Sequence, residues 1–369
     1  MFAVNLFHDK TLPKKKIIID NFPILSFTLF CTFTKKFGMM KLQNDNIHNI
    51  AVMTSGGDSP GMNAAVRAVV RTAIYFGKKA FGIYNGYEGM IDGRIIELKT
   101  HDVSDIINRG GTILKTARSK RFMETKYRKQ AYEKLKEHNI DALVIIGGNG
   151  SFRGANVFSH EYDISVVGIP GTIDNDLDGT DYTLGYDTAL NNVVDAVDKI
   201  RDTASAFDRL FFVEVMGRDA GFIALRSGIA TGADSILVPE VHTDYDQFKN
   251  YLHDTYKHTK TSSIVLVAEG DDAGGAVVIA NRIKGDFPDF NPRVSILGHI
   301  QRGGSPSAFD RILGSEMGVA SVKALLKGQS GVMMGKQCRD IVPVEFAIAD
   351  KHNKELSKSL LEMIAILNV

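Results

Sequence analysis

The feature that most constrains this chain is a recurrence of short apolar runs, most of them ending in glycine. They read IAVMTSGG, KAFGIYNG, DALVIIGG, ISVVGIPG, LFFVEVMG, DSILVPE, SSIVLVAEG and RVSILGH, from Ile50 to His299. Continuous Val/Ile/Leu runs of this length predict strands covered on both faces, as in parallel sheets. Amphipathic helical patterns lie between them. In MNAAVRAVVRTAIY, Val66, Val69, Val70, Ala73 and Ile74 form one stripe; in TALNNVVDAVDKIRD, Leu190, Val193, Val194, Val197 and Ile200 form another. DYDQFKNYLHDTYKH is a further helix candidate. Alternating strands and helices predict a doubly wound α/β protein, and 369 residues leave room for two domains.

Composition narrows the function. Residues 1–46 hold seven lysines against three aspartates; the rest carries 37 basic and 40 acidic residues, a net of −3. A mildly acidic body argues against nucleic-acid binding, which depends on neutralising phosphates. Two cysteines, Cys31 and Cys338, make no disulfide framework and no metal spacing. The leader KKKIIIDNFPILSFTLFCTFTKK has a basic start and an apolar middle, but Asp20 and Pro23 interrupt it. Its apolar stretch is too short to span a bilayer. We expect residues 1–46 to be a disordered extension, or upstream sequence before a start at Met39 or Met40, on a cytoplasmic protein.

The chemistry gathers after the strands, where open α/β sheets bind ligands. TSGGDSPGMN and GGNGSFRG each put glycines at a strand end before a helix, where backbone can approach a phosphate and meet free N–H groups. Either could equally be a tight packing turn. There is no G-x-x-x-x-G-K-[ST] P-loop, and Gly148, Gly150 and Gly154 miss the dinucleotide fingerprint by one residue, which makes a dehydrogenase a poor second reading. PGTIDND sets two carboxylates two positions apart. If extended, it sends Thr172, Asp174 and Asp176 to one side and Ile173 and Asn175 to the other; the plain alternative is a self-bonded Asx turn. Arg218, Arg293, His299 and Arg302 add cations, which suit an anionic substrate, and Glu269 can accept bonds from hydroxyls. Two phosphate cradles, a carboxylate pair and a cationic group together describe phosphoryl transfer between phosphorylated ligands.

TSGGDSPGMNAAVRAVVR, NRGGTILKTAR, GGNGS, PGTIDND, GYDTALN, EVMGR and LGHIQRGGSP, in that order from about Ile50 onward, resemble the bacterial ATP-dependent 6-phosphofructokinases. The resemblance implies two Rossmann-like domains with mostly parallel sheets and an active site in the cleft between them. Residues 47–184 and 298–348 would form the ATP domain, and 185–297 with 349–369 the fructose 6-phosphate domain. It implies Asp174 as the base for the sugar's 1-hydroxyl, with Thr172 and Arg218 on the transferring group. ATP would meet Gly57, Arg118, Ser119, Gly148, Asn149, Gly150 and Ser151. Fructose 6-phosphate would meet Thr172, Asp174, Met216, Gly217, Arg218, Glu269, His299 and Arg302. Arg209 and Arg293 would reach the 6-phosphate from a neighbouring subunit of a homotetramer. Asn149 and Asp176 would hold Mg2+, although Asn149 replaces the family's usual Asp. That change keeps an oxygen acceptor but loses the charge and leaves a catalytically weak paralogue as an alternative. Glycine at 150 and 171, where pyrophosphate-dependent members carry Asp and Lys, implies ATP as donor. Arg67, Arg71, Arg201 and Lys260 match an ADP or phosphoenolpyruvate effector site, while Thr100 and His258 stand where cations are common. Neither a nucleic acid nor a membrane is implied as a partner.

Overall fold

All eight apolar runs form strands. The structure is a computed structural model that describes residues 46–207, 209–258, 262–349 and 354–367, which belong to one compact unit. The leader through residue 45, Cys31 and Lys260 lie outside the described residues, and so does the expectation about the leader. The first sheet contains β1 (Asn49–Ser55), β2 (Lys79–Ile83), β3 (Ile95–Leu98), β4 (Ala142–Gly147), β5 (Ser165–Pro170), β10 (Val332–Gln337) and β11 (Asp340–Glu345). Its order is β11-β10-β5-β4-β1-β2-β3, parallel except at β3 and β11 on the two edges. The second sheet, β7-β8-β6-β9, is wholly parallel: β6 (Leu210–Val215), β7 (Ser235–Leu237), β8 (Ser263–Ala268) and β9 (Arg293–Ile296). This is a two-sheet, doubly wound, Rossmann-like α/β fold. β3, β10 and β11 add strands that the eight runs did not include. They are short or polar, and two of them are antiparallel edge strands without a continuous apolar run.

Alternate residues of each strand feed different cores, as the pleat requires. Ile50 and Val52 face α1 (Met62–Tyr75), while Ala51 and Met53 face α2 (Gly86–Asp92), α3 (Thr125–Glu137) and α4 (Asn149–Glu161). In the second sheet, Phe211 and Val213 pack on α5 (Tyr186–Ser205) and α6 (Phe222–Thr231). Leu210 and Phe212 pack on α7 (Tyr245–His258) and α8 (Gly275–Asp286). Each large apolar side chain among these contributes roughly 1.5–3 kcal/mol against exposure. The α1 stripe needs one correction. Val66, Val69, Val70 and Ala73 are buried, but Ile74 is 37% exposed, because the adjoining buried positions are Met62 and Ala65. α9 (Ala308–Leu326) covers the first sheet beside α1, and α10 (Phe346–Ala349) and α11 (Lys358–Leu367) close the chain. Among the described residues no helix is long and apolar enough to cross a membrane.

One polar knot joins the two halves. Asp310, fully buried near the start of α9, accepts hydrogen bonds from the Gly185 N–H (2.8 Å), the Thr188 N–H (2.8 Å) and the Thr188 hydroxyl (2.5 Å) at the start of α5. Ser307 answers by donating its hydroxyl to Asp187 at 2.6 Å. The α5 helix belongs to the second core and α9 to the first, so this pair of caps fixes how the sheets meet.

Candidate active site

The carboxyl ends of β1, β4 and β5 open into a cleft of about 520 Å3, which Arg218 from beyond β6 also lines. Both glycine cradles line it. At Gly57 a Cβ would stand 2.9 Å from Arg302 Nη1, so a side chain there would push the guanidinium aside. Arg302 closes this end of the cleft, donating to the Asp58 carbonyl at 3.1 Å and lying 4.0 Å from Asp174 Oδ1. The second cradle is the amino end of α4, where Gly148, Asn149, Gly150 and Ser151 present the first turn of a thirteen-residue helix to the cleft. A Cβ on Gly150 would meet nothing within 4 Å, so any side chain there would project into open space.

The PGTIDND loop is not extended, as the alternation argument assumed. Asn175 turns into the left-handed region at φ 54°, which Asn tolerates better than most residues. Its side chain accepts from the Thr183 N–H at 2.9 Å and donates to the Asp181 carbonyl at 3.2 Å. The Thr183 hydroxyl donates to the Thr172 carbonyl at 2.6 Å. The grouping survives for this different reason: Thr172, Asp174 and Asp176 all line the cleft, and Ile173 and Asn175 are buried behind it.

Asp174 is the most unusual group. It is 5% exposed, its Oδ1 has no hydrogen-bond partner among the described residues, and its own N–H donates to Thr172 Oγ1 at 3.2 Å. Burial first, then the neighbouring Asp176 charge, push its pKa up to about 6, against the opposing pull of Arg302 and Arg218. A buried carboxyl with an idle oxygen and a pKa close to neutrality is poised to take a proton.

Across the cleft, Arg218 sits at φ 57°, a strained conformation for a non-glycine residue. Glu269 Oε1 holds it there, accepting from the Arg218 N–H at 2.8 Å and the Gly217 N–H at 3.2 Å. Gly217 itself has φ 153°, and a Cβ there would meet the Ala220 carbonyl at 2.3 Å. Gln301, fully buried, accepts from the Met216 N–H at 3.2 Å and ties the 3-10 turn Gly298–Arg302 to this loop.

Every residue expected to meet ATP lines the cleft: Gly57, Arg118, Ser119, Gly148, Asn149, Gly150 and Ser151. Of those expected to meet the sugar phosphate, Thr172, Asp174, Arg218 and Arg302 line it, whereas Met216, Gly217, Glu269 and the exposed His299 do not. Neither do Arg209 and Arg293. They lie at the amino ends of β6 and β9, and the site lies past the carboxyl ends, about 20 Å along the six-residue β6 and about 13 Å along the four-residue β9. Arg67 and Arg71 sit half-buried on α1, and Arg71 reaches the Thr100 carbonyl (3.5 Å) and the Ser104 hydroxyl (3.4 Å). Arg201 instead donates to the Thr231 and Gly232 carbonyls at 2.7 and 2.9 Å, so these three cations do not converge within one chain.

Sequence reasoning missed the far wall: Tyr87, Phe122, Met123, Arg128 and Val157 also line the cleft. Aromatic and aliphatic residues in helical patterns read as core, and an arginine on a helix reads as solvated. No motif set them apart.

Glycine cradles, an idle buried carboxyl and facing arginines at the joint of two parallel sheets define a phosphoryl-transfer site. The phosphofructokinase family model matches residues 49–325. An ATP-dependent 6-phosphofructokinase 2 of Bacteroides thetaiotaomicron is 53% identical over 320 residues, covering 87% of this chain and 98% of that one. An ATP-dependent 6-phosphofructokinase 1 of Thermus thermophilus is 51% identical over 320 residues, covering 86% and 98%. The solved phosphofructokinase of Saccharomyces cerevisiae superposes with a TM-score of 0.78 at 38% identity, over 87% of this chain and 47% of that longer one. The chain belongs to the phosphofructokinase family.

Proposed function

We propose that this protein transfers the γ-phosphoryl group of ATP to the 1-hydroxyl of D-fructose 6-phosphate, giving fructose 1,6-bisphosphate and ADP, a step of glycolysis. The observation that carries the mechanism is the idle Asp174 oxygen facing the cleft that the glycine cradles also line. Asp174 takes the hydroxyl proton as the sugar oxygen attacks phosphorus and the bond to the ADP oxygen breaks. Thr172 and Arg218 stabilise charge on the group in transit. Gly57, Arg118, Ser119 and the α4 amino end hold the donor phosphates, and the apolar lip of Phe122, Met123 and Val157 suits the flat base. Met216, Gly217, Glu269, His299 and Arg302 hold the sugar phosphate.

Phosphoryl transfer of this kind needs a metal. Among the described residues no cluster of three or more His, Cys, Asp or Glu could hold one alone. Asp176 and Asn149 nonetheless offer two hard oxygen donors on one cleft, which fits Mg2+, an ion that takes one or two carboxylates and fills its shell with phosphates and water. When bound, Mg2+ would offset charge on the donor phosphates.

The domains follow the sheets: residues 47–184 and 298–348 form the ATP domain, which also lends His299 and Arg302 to the sugar phosphate, and 185–297 with 349–369 form the fructose 6-phosphate domain. Because Arg209 and Arg293 lie at the amino ends of their strands and do not line their own chain's cleft, they would serve a neighbouring subunit in the homotetramer that the family resemblance implies. Exposed Val294, Ile296 and Ile300, on and beside the edge strand β9, give such a contact apolar surface. Effector binding by ADP or phosphoenolpyruvate and a cytoplasmic location complete the reading. The test is donor choice. Saturation kinetics with ATP and with pyrophosphate, at fixed fructose 6-phosphate and Mg2+, should favour ATP; faster turnover with pyrophosphate would overturn it.

A further inference from the structure

The far wall of the nucleotide cleft is the segment from Arg118 to Met123, and two carboxylates that do not line the cleft hold it. On one side stands Glu88 on α2. It accepts the Ser119 hydroxyl at 2.5 Å and the Arg121 Nε at 2.7 Å, and Arg121 Nη2 is shared between Glu88 and Asp92. Ser119 Oγ in turn accepts the Phe122 N–H at 3.1 Å. The neighbouring Tyr87 stacks on Phe122, with centroids 3.9 Å apart and planes at 23°, and donates its hydroxyl to the Ser151 carbonyl at 2.6 Å. One turn of α2 therefore ties the wall to the phosphate cradle on α4.

On the other side stands Glu161, at the carboxyl end of α4. It receives Arg128 as a fork, Nε and Nη2 each at 2.6 Å from one oxygen. Arg128 Nη1 then holds the carbonyls of Phe122 (3.0 Å) and Met123 (2.7 Å), and Nη2 also reaches the Thr125 hydroxyl at 3.0 Å. All five guanidinium N–H groups are engaged. Arg128 therefore has no donor left for a nucleotide, although it lines the cleft. Its work is to fix two backbone carbonyls, and Glu161 orients it for that work.

We propose that Glu88 and Glu161 are positioning residues for nucleotide recognition. They clamp the Arg118–Met123 wall from opposite sides and so set where Ser119, Phe122 and Met123 meet the nucleotide. This rests on the reading of the cleft as an ATP site. The sugar-phosphate side, built from Arg218, Glu269 and Arg302, shares no hydrogen bond with either clamp. Loss of a clamp should therefore affect one substrate and spare the other.

The experiment compares wild type with Glu88→Ala, Glu88→Gln, Glu161→Ala and Glu161→Gln, each assayed well below its own melting midpoint. The alanine variants should raise KM for ATP about tenfold, by freeing polar groups of the wall. KM for fructose 6-phosphate should stay within about twofold. The glutamine variants, which keep one acceptor oxygen, should recover part of the loss. The stabilisation of the fold by ADP, read as a melting shift, should shrink in the same order. An unchanged KM for ATP in either alanine variant would overturn the clamp. So would a parallel rise of both KM values, which marks a general loss of structure. Absence of turnover in the wild type would instead remove the ATP reading itself, and the clamp with it.

Discussion

At the scale of single residues, the site is a contest between burial and charge at Asp174. Burial and Asp176 raise its pKa to about 6, and the base must be ionised to accept a proton. Activity at limiting fructose 6-phosphate should therefore fall as pH drops through about 6, and the acid limb should vanish from the residual activity of Asp174→Asn. A flat kcat/KM profile from pH 5 to 7 would contradict the assignment. Asn149 makes a second prediction. It lines the cleft at the amino end of α4, where an added negative charge is favoured by the helix dipole. Asn149→Asp should stay active and reach half-maximal rate at lower Mg2+, which a metal titration at fixed ATP would show.

At the scale of elements, strand ends were the legible part of the sequence and the supports behind them were not. Glycine pairs, PGTIDND and HIQRGG stand out because their residue types are unusual after apolar runs. Their supports do not: Asn175 and Gln301 belong to those motifs, but nothing local says that Asn175 bonds Thr183 or that Gln301 reaches the Met216 N–H, 85 positions away. Glu161 and Arg128 are 33 residues apart and each resembles an ordinary helix-surface charge. Asp310 belongs to the same hidden class. Asp310→Ala leaves two buried N–H groups at the α5 amino end and one hydroxyl without their acceptor, at a cost of about 2–4 kcal/mol. Urea melts should show that loss, and a change under about 0.5 kcal/mol, the size typical of a surface substitution, would mean that the knot between the sheets is incidental.

At the scale of the whole molecule, sequence patterning foretold a parallel, doubly wound α/β protein and the family resemblance two mostly parallel sheets, but neither foretold the strands that complete the first one. The sequence did put Arg209 just before LFFVEVMG and Arg293 at the start of RVSILGH, the strand ends away from their own cleft. That placement predicts complementation. Arg293→Ala and Asp174→Asn should each be nearly inactive alone. Dissociated and reassembled together, they should regain activity, because some mixed interfaces pair an intact Asp174 with an intact Arg293. The central claim is that this cleft moves phosphate from ATP to fructose 6-phosphate with Asp174 as base. A coupled assay of ADP release, with ATP and Mg2+, tests it most directly. The account predicts release that depends on fructose 6-phosphate, falling about a hundred- to ten-thousand-fold in Asp174→Asn while the variant still binds the sugar phosphate. Release independent of the sugar, or more than about a tenth of the rate retained in the variant, would contradict it.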